Sequence, residues 1–224
     1  MEYYALIVAG GTGSRMESDL PKQFIFIAGK PVIVHTLNKF LEFRSDIHFV
    51  ISIHPEWRSQ LFAILEEYFP SVSFCVVDGG ATRFHSVKNG LDAISSDDVL
   101  VGIHDAARPL VSVATIERCF LEARLKGNGC PVTNVNDSLR QITSHGSVIA
   151  DRSHYRIVQT PQCFQISLLK KAFTQEYSPV FTDDASVLEY FGEKINLVEG
   201  NAENVKITYP SDLILAEALL SHSK

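Results

Sequence analysis

Three glycines stand within four positions, Gly10, Gly11 and Gly13, directly after the apolar run Tyr3–Val8. Without side chains to shield them, their backbone N–H groups can turn outward and approach an anion closely. Arg15 and Lys22 follow and supply fixed positive charge. A tight turn accounts for the glycines alone; the neighbouring cations point to phosphate.

Two familiar phosphate loops do not fit. A dinucleotide fingerprint needs a third glycine where Met16 stands, and Ile53-His54-Pro55 offers no acidic residue for a ribose. A P-loop needs Ser or Thr after its lysine, but Pro31 follows Lys30 and Lys22 lies outside the spacing.

Further polar groups follow other apolar runs: Asp78-Gly79-Gly80-Ala81-Thr82-Arg83, His104-Asp105-Ala106-Ala107-Arg108-Pro109, Asp151-Arg152, Gln159-Thr160-Pro161-Gln162, Thr182-Asp183-Asp184-Ala185-Ser186 and Asn204-Val205-Lys206. Open parallel sheets bind ligands outside the carboxyl ends of their strands, so these groups belong to one site. Arg15, Lys22, Arg83, Arg108, Arg152 and Lys206 all fall there and match several phosphate groups. Asp105 suits a Mg²⁺ ligand, a partner for a sugar hydroxyl, or the cap of a following turn. His104 reads as a hydrogen-bonded structural residue rather than a general base. Thr182 suits a helix N-cap as well as a ligand contact. No Gly-x-Ser-x-Gly, His-Glu-x-x-His or cysteine beside a plausible base occurs, which argues against a hydrolase.

The elements that must position these groups alternate. Strands are expected at Tyr3–Val8, Ile47–Ile53, Ser73–Val77, Val99–Ile103 and near Gly129–Thr133, with helices at Val32–Phe43, Pro55–Phe69, Ala81–Ile94 and Val113–Lys126. Runs apolar on both faces suit a covered parallel sheet with right-handed crossovers. The fold class is therefore α/β, a doubly wound, mostly parallel Rossmann-like sheet. From Asp137 the rhythm breaks into a β-arm at about 137–158, with strands Leu139–Ile142 and Ser147–Ile149 around Ser144-His145-Gly146. An isolated hairpin is marginal in water, so the arm calls for a second copy of the chain. A helix from Asp183 to Phe191, a strand around Ile195–Val198 and a helix from Ser211 complete a single domain, 1–224.

The net charge of −6 argues against a general nucleic-acid surface. No apolar run is long enough to span a bilayer and no secretory leader is apparent, so a cytoplasmic protein is expected. The four cysteines, Cys75, Cys119, Cys130 and Cys163, lack metal-site spacing. They read as buried reduced thiols.

Taken together and in order, Ala9-Gly10-Gly11-x-Gly13-x-Arg15-Met16, Pro21-Lys22-Gln23, Gly79-Gly80-x-x-Arg83-x-x-Ser86-Val87, His104-Asp105-Ala106-Ala107-Arg108-Pro109, Gln159-Thr160-Pro161-Gln162, Thr182-Asp183-Asp184-Ala185-Ser186 and Asn204-x-Lys206-Ile207-Thr208 resemble the 2-C-methyl-D-erythritol 4-phosphate cytidylyltransferases. The resemblance spans almost the whole chain. It implies a homodimer whose arm reaches the neighbouring site, and transfer of CMP from CTP to the sugar-alcohol phosphate with Mg²⁺ (or another divalent cation). It implies CTP over Ala9, Gly10, Gly11 and Gly13, with base and ribose read by Gly80, Ala81, Arg83, Ser86, Asp105 and Ala106. Arg15, Lys22 and Lys206 would be catalytic; Arg108, Ser138, Arg152 and Thr160 would meet the acceptor, Arg152 from the second subunit. Asp105 is the candidate metal ligand.

Two departures matter. Ala9-Gly10-Gly11 stands where many members have Ala-Ala-Gly, a variant shared with the ribitol-5-phosphate cytidylyltransferases. Ser138 stands where threonine is usual, keeping the hydroxyl but loosening its rotamer. Ala107 before Arg108 and Ser186 after Asp-Asp-Ala favour the erythritol substrate. The alternatives are the ribitol enzyme and a CTP-binding regulator without turnover.

Overall fold

The computed structural model describes residues 1–11 and 20–222; Gly13 and Arg15 lie outside the described residues. In chain order the strands are β1 (Glu2–Val8), β2 (Phe26–Ile27), β3 (Lys30–Pro31), β4 (His48–Ile53), β5 (Phe74–Asp78), β6 (Val99–Asp105), β7 (Asn128–Asn134), β8 (Leu139–Thr143), β9 (Gly146–Ala150), β10 (Arg156–Val158), β11 (Gln162–Gln165) and β12 (Leu197–Glu199). The helices are α1 (Val32–Phe43), α2 (Arg58–Tyr68), α3 (Arg83–Asp92), α4 (Val113–Lys126), α5 (Ile166–Ala172), α6 (Asp184–Tyr190) and α7 (Pro210–His222).

The main sheet runs β10-β7-β11-β6-β1-β4-β5, with β12 beside β7. β6, β1, β4 and β5 are mutually parallel, as the apolar runs predict. Ala5, Leu6 and Ile7 are buried on consecutive, opposite-facing positions, so both faces of β1 are covered. α1 turns Ile33, Leu37 and Phe40 onto one face, and α3 turns Val87 and Leu91 onto the other. α4 begins where Ser112 Oγ accepts from the Thr115 N–H and stops at Gly127, whose φ of 91° only glycine adopts freely.

The far half of the sheet differs from expectation. β7 does not pair with β6; β11 inserts between them, antiparallel to both. This strand is four residues long and polar at both ends, so it has no pattern of its own to read, and its neighbours bury it. The seven-residue α5, only about two turns long, is too short to show a helical period. Cys119, Cys130 and Cys163 are buried as expected, but Cys75 is exposed because β5 closes the sheet edge. β8 and β9 form a separate two-stranded sheet, with Arg140 opposite Ile149 and Ile142 opposite Ser147.

Candidate active site

The site lies at the carboxyl ends of β1, β5 and β6, where short backbone hydrogen bonds splice each loop to its neighbour. Ala9 N–H donates to Ser52 O at 2.8 Å, Gly79 N–H to Ile53 O at 2.7 Å, and Ala106 N–H to Val8 O at 3.1 Å. Gln23 stands in the Pro21-Lys22-Gln23 motif with no role assigned from sequence, yet its buried amide donates to Ala9 O at 2.8 Å and pins the root of the glycine loop. Lys22, one residue earlier in a short 3-10 turn, lines the same cavity.

The second glycine pair is held by the start of α3. Gly80 N–H donates to Ser86 Oγ at 3.0 Å, and that hydroxyl donates to Thr82 O at 3.0 Å. A Cβ at Gly80 would lie 2.3 Å from His85 Cβ, so only glycine fits the approach.

Asp105, at the end of β6, sits among three cations. Its carboxylate oxygens lie 3.5 Å from Arg83 Nε, 3.2 Å from Arg108 Nε and 2.9 Å from Lys206 Nζ. Burial alone raises a carboxyl pKa, but Arg83, Lys206 and Arg108 outweigh it and hold Asp105 well below the usual carboxylate range. Arg83 also pairs through both Nη atoms with Asp184, a residue the sequence reading named in its motif but assigned no role. Burial works against the Arg83 charge, yet Asp184 and Asp105 together raise its pKa and keep it cationic. Arg83, Arg108 and Lys206 thus meet the carboxylates of Asp105 and Asp184, and Asp183 also acts on Arg83, so the cations of an acidic chain are gathered here against a matching set of carboxylates.

These groups enclose a cavity of about 320 Å³. Of the predicted site residues, Ala9, Gly10, Gly11, Lys22, Gly80, Ala81, Arg83, Ser86, Asp105, Ala106 and Lys206 line it. Arg108 braces it from the side, with Nη1 donating to Asn204 O at 2.8 Å. Thr160 is buried beneath Asp105; its Oγ1 accepts from the Asp105 N–H at 3.1 Å, so it reaches the cavity through that residue. Ser138 and Arg152 are exposed at the base of the hairpin and outside this cavity, where the Arg152 guanidinium donates to Asn136 O. Thr182 is not the cap of α6: Asp183 accepts from Ser186 N–H, and the Ser186 hydroxyl closes a capping box.

Among the described residues no group of three His, Cys, Asp or Glu is placed to hold a metal ion. Both Asp105 oxygens face cations, so the residues do not fit a carboxylate-held Mg²⁺. Among the described residues no helix is long and apolar enough to cross a membrane.

A family model for 2-C-methyl-D-erythritol 4-phosphate cytidylyltransferase matches residues 3–222. The enzyme of that name from Bacteroides fragilis is 49% identical over 216 residues, covering 96% of this chain and 98% of its own. That from Porphyromonas gingivalis is 48% identical, covering 97% of each chain. The crystal structure of the Thermus thermophilus enzyme superposes with a TM-score of 0.78 at 33% identity, over 99% of this chain and 100% of that one. On this match of sequence and fold from end to end, the chain belongs to the 2-C-methyl-D-erythritol 4-phosphate cytidylyltransferase family and is a CTP-dependent nucleotidyltransferase of isoprenoid synthesis.

Proposed function

We propose that the cavity binds CTP across the two glycine loops and directs its α-phosphorus toward Lys22 and Lys206. The observation that carries this reading is the convergence of both lysines on one cavity with Gly10, Gly11 and Gly80. Exposed N–H groups at the end of β1 suit the triphosphate, and the Gly80–Ser86 corner suits the cytosine. Asp105 and Ala106 lie between these ends, where the ribose would pass. Arg83, whose guanidinium faces Asp184 and Asp105, would serve the nucleotide by holding this corner in place.

The acceptor phosphate attacks the α-phosphorus in line: its oxygen forms the new P–O bond while the bond to the β-phosphate breaks and pyrophosphate leaves. A phosphate dianion is already nucleophilic near neutral pH, so no general base is needed. Rate comes from alignment and from neutralising charge on the α-phosphate and leaving group. Lys22 and Arg15 are assigned to the triphosphate and Lys206 to the bridging region. Lys206 is 39% exposed and its one ion pair among the described residues is with Asp105, which supports its turning onto substrate. Asp105 offers no uncommitted edge to a divalent cation, so such an ion would have to come with the nucleotide rather than be held by this carboxylate.

Arg108 and Thr160 are assigned to the acceptor side. Ser138 and Arg152 are assigned to the acceptor site of a partner subunit, with the hairpin as the dimer arm. Ile142 and Ile149 support this, being 80% and 83% exposed on one face of the hairpin. The reading places the protein in the cytoplasm, in keeping with thiols outside any disulfide.

The test is pyrophosphate release from CTP and Mg²⁺ with methylerythritol 4-phosphate or ribitol 5-phosphate supplied in parallel. Release with the first alone is expected. Release with ribitol 5-phosphate alone overturns the substrate, and CTP binding without release from either acceptor overturns turnover.

A further inference from the structure

His104 is the buried titratable side chain that the mechanism leaves unused. It lies inside β6, with no exposed surface, edge-on to the Phe40 ring at 5.2 Å between centroids. Its two ring nitrogens face different partners: Nδ1 is 3.0 Å from Thr160 Oγ1, and Nε2 is 3.1 Å from Arg108 O.

Donor and acceptor accounting allows one consistent arrangement. Arg108 O can only accept, so Nε2 carries the proton. Thr160 Oγ1 already accepts from Asp105 N–H at 3.1 Å, and its own proton points to the lone pair on Nδ1. Burial pushes the imidazole pKa down to about 4, which keeps the ring neutral in this role. The ring therefore holds the residues around Asp105 by two routes. One fixes the carbonyl of Arg108, whose guanidinium reaches Asp105 Oδ2 and Asn204 O. The other orients the Thr160 hydroxyl that receives the Asp105 N–H.

We propose that His104 is a positioning residue, a neutral Nε2–H imidazole that sets Arg108 and Thr160 for the acceptor phosphate. This rests on the assignment of those two residues to the acceptor side. His104 bonds Arg108 and Thr160 directly and reaches the nucleotide side only at one remove, through Asp105, so its loss falls more heavily on the acceptor than on CTP.

Four measurements test it. His104→Leu, which removes both bonds, should raise the KM for methylerythritol phosphate at least tenfold, by the factor that one to two lost buried hydrogen bonds imply. The Kd for CTP should stay within about threefold in the same protein. His104→Gln, which restores one donor and one acceptor, should recover most of the acceptor KM. A folded His104→Leu protein with unchanged acceptor KM, or with equal losses for both substrates, overturns the proposal; so does a glutamine variant no better than leucine. Nitrogen NMR of the labelled wild-type ring should report Nε2–H, and an Nδ1–H tautomer overturns the proposal even where the leucine variant does not fold. A wild-type protein that fails to release pyrophosphate defeats the functional reading instead, and the tautomer measurement still decides the role of the ring.

Discussion

Arg83 and Asp184, 101 positions apart, meet in a two-point pair: Nη1 to Oδ1 at 2.8 Å and Nη2 to Oδ2 at 2.7 Å. The pair ties the first residue of α3 to the first residue of α6, and Arg83 Nε then faces Asp105 at 3.5 Å. Three loops distant in sequence are thus held to one point beside the cavity.

Removing Asp184 takes away the two-point partner of Arg83 and leaves it the longer contact with Asp105. Asp184 is 1% exposed and Arg83 about a quarter, so Asp184→Ala should cost about 3 kcal/mol, the low end for a broken buried pair. Urea unfolding of the two proteins measures it; a loss below about 1 kcal/mol would reduce the pair to an ordinary surface contact. Arg83→Lys keeps the charge but not the fork, and should cost only part of that amount.

In the proposed mechanism Lys22, which lines the cavity, faces the charge that grows on the triphosphate. Lys22→Ala should lower turnover at least ~100-fold, as loss of a transition-state donor worth ~2.7–4 kcal/mol does. Steady-state kinetics on the folded variant decides it, and near-normal turnover removes Lys22 from catalysis. Arg15→Ala is expected to behave alike.

Gly80 is the tightest backbone approach in the site. In Gly80→Ala the new methyl group would stand 2.3 Å from His85 Cβ and 2.8 Å from the His85 carbonyl carbon, so the loop must move off α3. An overpacking strain of about 1–3 kcal/mol, carried into binding, translates to roughly a 5- to 150-fold rise in the Kd for CTP. Calorimetric titration reads this directly, and an unchanged Kd would separate this corner from nucleotide binding.

What the chain discloses in advance follows from where its information lies. The apolar runs of β1, β4 and β6 and the stripes of α1 and α4 are local patterns, and the residues after those strands gather as strand-end logic requires. β11 is set by its neighbours, so four residues around Cys163 and Phe164 give no periodicity to read. The roles of Asp184 and Gln23 were illegible for a related reason. A capped helix start and a residue after a lysine carry no sign that they will meet Arg83 across 101 positions or grip the Ala9 carbonyl.

Stability should fall in mildly acidic solution because of His104. Its folded pKa of about 4 lies below the ordinary 6.5, so between those values the unfolded chain binds a proton that the folded one refuses. The stabilisation is full above about pH 6.5 and is lost progressively toward pH 4, by roughly 3 kcal/mol in all. Asp105 acts with the same sign at lower pH, since its depressed pKa stabilises the fold above the ordinary carboxyl value and is lost below it. Unfolding measured at about pH 7 and about pH 4.5 should show a smaller difference in His104→Gln than in wild type. Equal slopes would mean that the buried ring takes up its proton while folded.

The hairpin carries the last prediction. Ile149 lies opposite Arg140, and Ile142 stands two residues beyond Arg140 on its strand, so the two most exposed isoleucines share one face of a two-stranded sheet with the Arg140 guanidinium, which bonds Ser147. Those isoleucines gain by burial against a second copy, at about 25 cal/mol per Å² removed from water. Ile149→Glu would put a charge into that contact and should shift the protein toward monomer in light scattering. If Arg152 completes the acceptor site of the partner, the same substitution raises the KM for methylerythritol phosphate while leaving CTP binding intact. The monomeric variant thus distinguishes the arm from a passive surface: dimer loss with an unchanged acceptor KM would show that each subunit builds its acceptor site alone.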